Sequence, residues 1–529
     1  MGVFEIILLI FGAVMMLVIV VPVIIAIILW MKDEKQEEHS VLRNYPLLGK
    51  MRYIFEKMGP ELRQYLFLNN NEGKPFSRNQ YEQTVKSGKY LNRMMGFGSE
   101  RDFNEPGYYI RNAVFPKQRD EMKADNTTKV KTKVYKMDAD NLFSRREHRE
   151  EKEADPFYLR DEEAVVIGPS CKNPFVVKGL IGQSGMSFGA LGDHAITALS
   201  LGLGRAGGTW MNTGEGGLSP YHLKGNVDII FQIGPGLFGV RTKEGEFSWE
   251  EFKKKSDMKQ IKAFEIKLAQ GAKTRGGHVD GSKVTEEIAE IRNLKPGESV
   301  DSPNRFKEFA SYPEMFQFIE KLRDVGGKPV GIKMVVGNTN DLEEMAAYMK
   351  ETGSGPDFIT IDGAEGGTGA SFQELADGAG VPLFSGLPFV DELLKKYGVR
   401  DEVKLFASGK LLTADKIATA LSLGADCVNI ARGFMFSVGC IQAQVCHNNR
   451  CPVGVATTDP KLQKALIIEE KSYRVCNYVL SLREGLFNLA AAAGIDSPTK
   501  FSKKHVVFKN SSGQLADISG SLKVYKYNI

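Results

Sequence analysis

Three thiols, Cys440, Cys446 and Cys451, stand in the run CIQAQVCHNNRCPVGVAT, with five residues between the first pair and four between the second. Thiolates gathered so closely on one stretch of chain are the ligand set of an iron or zinc centre. Three sulfurs with no evident fourth ligand fit an iron–sulfur cluster better than a closed structural zinc site, which takes four. The chemistry to which this pattern points is electron transfer. Cys171, Cys427 and Cys476 are scattered singly and read as packing thiols. Six cysteines in 529 residues do not make a secreted disulfide framework.

A second set of residues could hold a flat, phosphate-bearing ligand. GQSGMSFGA at 182–190 carries Met186 and Ser187, NTGEGG at 212–217 carries Asn212 and Glu215, and QIGPG at 232–236 begins with Gln232. Glycines at such points let backbone approach a ring closely and present free N–H groups. Ser408, Gly409 and Lys410, and then Ala431, Arg432 and Gly433, follow two later apolar runs where a phosphate would find backbone donors. Lys333, flanked by Gly331, Ile332, Met334 and Val335, places a cation inside an apolar run, where it could stabilise an anionic reduced isoalloxazine. Phosphate, ring and adjacent cluster together point to FMN. The triplet Gly202, Gly204 and Gly207 spells G-x-G-x-x-G, but it follows a helical stretch instead of a strand, so it is expected to pack or end a helix and not to bind a dinucleotide.

The elements that must position these residues recur with one texture. Short β-rich runs at 178–183, 209–213, 228–233, 263–269, 329–335, 357–362, 403–408 and 427–431 each end in glycine or polar residues and lead into a helical pattern or an insertion. Strand and helix in alternation imply a parallel sheet buried on both faces. Eight such units over roughly 250 residues predict an α/β fold, a (β/α)8 TIM barrel, whose active site lies at the C-terminal ends of the strands. Every polar run named above falls at such an end.

Around this core the sequence predicts a transmembrane anchor over 1–32, a mostly helical extension over 33–155, the barrel with its cysteine loop over 156–483, and a C-terminal extension over 484–529 packed on the barrel. The apolar run 6–31 is about 26 residues, or roughly 39 Å as a helix, enough to span a bilayer. Lys32, Lys35, Arg43, Lys50 and Arg52 follow it and Glu5 precedes it, which predicts a single-pass protein of the cell membrane with its catalytic part in the cytoplasm. Within the extension, 40–67 reads as helical, and the charged run RREHREEKEAD at 145–155 as a solvated helix or linker. In the tail, a short helix and β-like runs at 504–509 and 522–527 are expected. A net charge of +4 on this length gives no footprint for nucleic acid.

GQSGMSFGALGDHA, NTGEGG, AFEIKLAQGAK, DGAEGGTGAS and the cysteine run are similar to the FMN-binding synthase domain of glutamate synthases, a likeness covering about residues 160–475. The apolar start and the segment ELRQYLFLNNNEGKPFSRNQ resemble membrane-anchored bacterial members of that family. The resemblance implies a [3Fe–4S] cluster on Cys440, Cys446 and Cys451, and FMN in the mouth of a (β/α)8 barrel. It implies reduction of 2-iminoglutarate, formed from 2-oxoglutarate and ammonia, to glutamate. Gln270, Lys273 and Arg292 carry over as 2-oxoglutarate contacts, and Glu215 as a glutamate that couples domains. Lys333, Lys273 and Glu215 are thus the residues expected to serve catalysis. Ferredoxin is the expected electron donor.

The departures from the family concern ammonia and substrate. No processed catalytic cysteine opens the chain, so nitrogen is expected from free ammonia, an amine or a separate glutaminase subunit. After Lys273 the family reads P-G-E-G-G-Q, whereas Thr274, Arg275, Gly276, Gly277 and His278 stand here. Ser302-Pro303-Asn304-Arg305 replaces a proline- and histidine-rich segment. Both changes bear on substrate identity: an N-substituted glutamate, another keto or imino acid, or an electron-transfer subunit with no small substrate are the alternatives.

Overall fold

Eight runs of Ile, Val, Phe and Ala, buried on both faces, form parallel strands that close on themselves: β1 (Ile181–Gln183), β2 (Trp210–Asn212), β3 (Asp228–Ile233), β4 (Ile261–Lys267), β5 (Val330–Met334), β6 (Phe358–Asp362), β7 (Lys404–Ser408) and β8 (Cys427–Ile430). Each pairs in parallel with the next in the chain, and β8 pairs with β1, so the predicted barrel is the observed one. Closure leaves no sheet edge. The computed structural model describes residues 2–91, 94–137, 147–274, 277–516 and 518.

The barrel interior is filled by rings, and glycines on neighbouring strands make room for them. A Cβ at Gly182 of β1 would lie 2.1 Å from the Trp210 indole of β2, and one at Gly331 of β5 would lie 2.5 Å from the Phe358 ring of β6. Trp210, Phe231, Phe264, Phe358 and Phe406 are fully buried. This packing fixes where the strands end, and so where the polar residues after them stand.

Helices α3 (Asp193–Ala206), after β1, and α6 (Ile468–Ala492), after the cysteine loop, lie against each other. Gly202 belongs to this contact, and Gly204 to the packing of α3 on the loop before β3. A Cβ at Gly202 would stand 2.5 Å from Ser472 O, and one at Gly204 only 1.8 Å from Gly225 O. Gly207, at φ +60°, ends α3 in a conformation that suits glycine. The G-x-G-x-x-G triplet is therefore a device for close packing and helix termination, as expected.

The chain divides into two compact units, Met1–Asn79 and Gln80–Ile529, and the barrel belongs to the second. In the first unit, α1 (Val3–Lys35) is long and apolar enough to cross a membrane, with its aliphatic side chains exposed. The helical expectation for 40–67 resolves into a short helix, α2 (Gly49–Leu62) and a π-helical turn over Arg63–Phe67.

In the second unit the charged run 145–155 departs from expectation. Arg145 and Arg146 lie outside the described residues, but Glu147–Ala154 is a strand, antiparallel to Val130–Met137. Alternation explains it. Val130, Thr132 and Val134 face inward, Lys131 and Lys133 stand opposite Glu153 and Glu151 in the ladder, and Lys136 Nζ reaches diagonally to Glu150 at 2.5 Å. A densely charged run that reads as solvated helix thus pairs with a cationic strand. Past Arg483, α6 continues unbroken to Ala492 instead of leaving a separate short helix, and Val506–Lys509 pairs with Gly107–Ile110. The expected β-like run 522–527 lies outside the described residues.

Because Gly204 meets backbone and not a flexible side chain, Gly204→Ala is expected to destabilise the second unit by about 3 kcal/mol. Denaturant unfolding monitored by tryptophan fluorescence checks this, with the exposed Gly337→Ala, whose Cβ would meet nothing within 4 Å, as the contrasting substitution.

Candidate active site

Carboxylates and ammoniums that the apolar strands would otherwise exclude meet at the C-terminal mouth of the barrel. Glu265, mid-strand in β4 and fully buried, accepts hydrogen bonds from Asn212 Nδ2 at 2.8 Å, Gln232 Nε2 at 2.6 Å and Thr360 Oγ1 at 2.6 Å. One carboxylate thus fixes both amides with their N–H2 groups inward and their oxygens away. The Asn212 oxygen accepts from Gly214 N at 3.0 Å, and a Cβ at Gly185 would stand 2.9 Å from the Gln232 oxygen. Glu265 is missing from the sequence-derived site. Its signal was present, as a lone carboxylate inside the apolar run AFEIK.

Above it lies a second charged group. Glu215 Oε1, from the loop after β2, is 2.7 Å from Lys267 Nζ and 3.1 Å from Lys273 Nζ. Burial pushes the Glu215 carboxyl up, and the two ammoniums more than reverse this, holding it well below the usual carboxylate range. Burial pushes Lys267 down to about 8; Glu215 opposes that shift, and Lys273 and Lys333 add to it. Two cations share one anion here. Lys333 Nζ on β5 is buried 3.3 Å from Asp362 Oδ2 and 3.5 Å from Ser184 Oγ, and Asp362 also accepts from Gly271 N at 3.0 Å.

Gln270 donates to Gly367 O and exchanges backbone hydrogen bonds with Lys273, so both expected substrate residues sit on one tight turn after β4. Arg292, the last residue of α4 (Glu286–Arg292), is 2% exposed, and its Nη2 donates to Phe188 O at 2.7 Å. Burial pushes it down to about 10, and its Nε has no hydrogen-bond partner. Its side chain stands against Gly189 and Gly216, the loops after β1 and β2. The region that departs from the family pattern reaches the same place. Arg275 and Gly276 are outside the described residues, but a Cβ at Gly277 would lie 2.3 Å from Lys273 Nζ and 3.0 Å from Glu215 Oε1. Gly277 O accepts from Ser302 N at 2.8 Å, and His278–Val279 pairs antiparallel with Val300–Asp301.

The remaining candidates line the opposite side of the mouth. Met186 and Ser187 follow β1, with Met186 7% exposed and its N–H directed at Asn212 O. Ser408 ends β7 and accepts from Gly363 N at 2.8 Å; Gly409 has φ +148°, which favours glycine. Arg432, the first residue of α5 (Arg432–Ser437), donates to Glu365 O at 2.6 Å, and burial pushes it down to about 10. Gly433 serves packing as well, since a Cβ there would meet Tyr478 Oη at 2.4 Å. Gln183 Oε1 is buried without a partner while its Nε2 is held by Ser184 O and Asn212 O. An orphaned buried acceptor, fixed amides, a cation inside the barrel and glycine-bearing loops after β7 and β8 fit a flavin with its phosphate at those loops.

The cysteine loop follows α5 directly. Cys440 N donates to Met435 O at 2.9 Å. Burial pushes the Cys440 thiol up to about 12, with Cys446 and Cys451 adding to the shift; Cys446 is raised by burial and by Cys451 and lowered by Lys283. The three sulfurs therefore sense one another across the loop. All six cysteines are free, and among the described residues no three His, Cys, Asp or Glu side chains close around a single ion. Cys171, Cys427 and Cys476 are buried, as packing thiols should be. Asn449, at φ +61°, ties the loop together: its Oδ1 accepts from Thr458 N at 2.8 Å and its Nδ2 donates to Ser282 O at 3.0 Å. Next to that anchor, buried Lys283 donates to Ala190 O at 3.1 Å. The segment from Ser282 to Arg292 thus touches the cysteine loop at one end and the substrate-side loops at the other.

The protein is thus a closed (β/α)8 barrel with a polar, lysine-bearing mouth and a three-thiol loop beside it. The family described as a conserved region in glutamate synthase matches residues 118–496, and the chain belongs to that family, making it an oxidoreductase. It is 69% identical over 490 residues to the glutamate synthase large subunit-like protein YerD of Bacillus subtilis, covering 92% of this chain and 93% of that protein. An archaeal-type glutamate synthase [NADPH] of Thermotoga neapolitana is 32% identical over 315 residues, 59% of each chain. The archaeal glutamate synthase [NADPH] of Methanocaldococcus jannaschii is 34% identical over 316 residues, 59% of this chain and 58% of that one. The chain therefore spans less than two thirds of the length of these two relatives.

Lys267 supplies a pH test. Its folded value of about 8 lies below its ordinary 10.5, so between those values the unfolded chain holds a proton that the folded one lacks, and its contribution to stability rises with pH. Glu215→Gln leaves Lys267 and Lys273 facing each other without their anion and should cost about 3 kcal/mol at neutral pH. That loss should shrink as the pH rises to about 8, where Lys267 of the unaltered protein sheds its proton, and level off above it, because Lys267 is then neutral in both folded proteins. Denaturant unfolding of both proteins across this range measures it. Glu265→Gln, by contrast, sets an amide donor against those of Asn212 and Gln232 and should cost about 2 kcal/mol in the same assay.

Proposed function

We propose that the protein is an FMN- and iron–sulfur-dependent oxidoreductase that reduces 2-iminoglutarate, formed from 2-oxoglutarate and ammonia, to glutamate. The observation that carries this reading is the cluster of Lys267, Glu215 and Lys273 beside the Lys333–Asp362 pair, an excess of positive charge at the mouth of a family barrel. Met186, Ser187, Asn212, Gln232, Lys333, Ser408, Gly409, Arg432 and Gly433 would hold FMN, which supplies hydride transfer, and Cys440, Cys446 and Cys451 would hold a [3Fe–4S] cluster, which supplies single electrons.

The chain's own residues then have separate tasks. Lys273, Arg292 and Gln270 bind the two carboxylates of the dicarboxylic acid by charge-assisted hydrogen bonds. Condensation with ammonia expels water and forms C=N, and two electrons with two protons convert it to CH–NH2. Lys267, titrating near neutrality, holds a proton where the nitrogen needs one. Glu215 keeps Lys267 and Lys273 side by side despite their repulsion. Lys333, fixed by Asp362, would offer a cation to the reduced flavin.

Electrons would come from a ferredoxin-type protein, because a three-thiol loop receives them singly; NADPH, named for the archaeal relatives, is the alternative. Nitrogen would be free ammonia or that of a separate glutaminase subunit. The apolar α1 followed by Lys32 and Lys35 supports a single-pass anchor in the cell membrane with the barrel on the cytoplasmic side. The Gly277 and Ser302 contact beside Lys273 favours a second reading, a different keto or imino acid or an N-substituted glutamate.

Anaerobic holoprotein supplied with reduced ferredoxin, 2-oxoglutarate and ammonia should form glutamate, and Lys273→Ala should lower kcat/KM for 2-oxoglutarate by about 10- to 100-fold. No glutamate, with flavin reoxidised by another acid in a substrate screen, would replace this substrate by the second reading. Reoxidation by proteins or quinones alone, indifferent to Lys273→Ala and Arg292→Ala, would make the chain an electron-transfer subunit.

A further inference from the structure

The first unit carries a second apolar surface besides α1. In α2, Met51, Ile54, Phe55, Met58 and Leu62 recur at spacings of three and four, and Leu48 before the helix and Tyr65 and Leu66 after it extend the stripe. Phe55 is 58% exposed and Met58 49% exposed. Lys50 and Lys57 border one side of the stripe, and Arg52 and Arg63 the other. Apolar residues on one face with long cationic side chains on both flanks, low overall hydrophobicity and aromatic residues near one end describe a helix that lies in a membrane interface, its lysines and arginines reaching up to the headgroups.

The fold of this unit fixes where that helix begins. Asp33, two residues from the end of the apolar helix α1, is 3% exposed in an otherwise largely exposed helix. It accepts from Leu47 N at 3.0 Å and forms an ion pair with Lys50. Gln36 adds a local clasp, donating to Asp33 O at 3.0 Å and accepting from His39 N at 2.7 Å. The first turn of α2 is thereby tied to the last turn of α1, within a few ångströms of the level at which an apolar helix leaves the hydrocarbon. An apolar stripe starting at that level is continuous with the lipid-facing surface of α1.

We propose that α2 lies on the cytoplasmic leaflet of the bilayer, with Met51, Ile54, Phe55, Met58 and Leu62 among the acyl chains, and that the Asp33–Lys50 pair is the joint between spanning and interfacial segments. The inference rests on the reading of α1 as a membrane anchor. It gives the protein a two-part attachment, one helix across the bilayer and one along its surface.

The test uses the full chain in nanodiscs of mixed phosphatidylcholine and phosphatidylglycerol containing a phospholipid with a photoactivatable acyl chain. Lipid adducts are expected on peptides from both 3–35 and 50–63. The double variant Phe55→Glu/Met58→Glu should lose about tenfold of the adducts on 50–63 while keeping those on 3–35, and Phe55→Leu/Met58→Leu should keep both. Adducts on 3–35 alone would overturn the inference and leave the anchor standing. Adducts on neither, with release of the protein by alkaline carbonate, would overturn both. Lysine cross-links from Lys50 or Lys57 into residues 80–529 or a second copy, in place of lipid adducts, would assign the stripe to a protein surface and overturn the inference.

Discussion

Everything at the barrel mouth depends on charge held where strands are apolar on both faces. Glu265 is the deepest case: a carboxylate buried among Phe, Ile and Ala persists because three donors from β2, β3 and β6 converge on it. In return it dictates which way the Asn212 and Gln232 amides face. Higher in the mouth, Glu215 performs the same service for two lysines that would repel each other without it. With two lysines on one carboxylate, the Glu215 group keeps one positive charge to spare for phosphate or carboxylate.

The cysteine loop is coupled to that mouth through backbone and buried side chains. Asn449 fastens it to the segment that carries Lys283 and, one helix later, Arg292. Lys283 and Arg292 each donate to the loop after β1, at Ala190 and Phe188. A redox centre on the three thiols and a substrate at Arg292 would thus share one stretch of chain. The loop itself needs left-handed backbone at Gln442, Gln444 and Asn449, none of them glycine, so its shape is held by its contacts.

Much of this was legible in the residues. All eight barrel strands fell within a few residues of their expected places, because continuous apolar runs ending in glycine have few other solutions. The three cysteines, Lys273 and Glu215 were recognisable by motif, and the structure brings Lys273 and Glu215 into contact. What the sequence hid were partnerships made across the barrel. Glu265 meets residues 33, 53 and 95 positions away, and no local pattern announces them. The strand Glu147–Ala154 was hidden for a related reason: a run dense in glutamate reads as solvated until its cationic partner strand is known. Gly433 shows the converse, a glycine read as phosphate-binding that also leaves room for Tyr478.

The central claim is that one FMN and one cluster on Cys440, Cys446 and Cys451 sit in the same chain. Iron, acid-labile sulfide and FMN determined on anaerobically prepared full-length protein, with Cys446→Ser alongside, test it most directly. The account predicts about three iron atoms and one FMN per chain, with iron and not flavin lost in the serine variant. Flavin without iron in the native protein, or iron unaffected by Cys446→Ser, would contradict it.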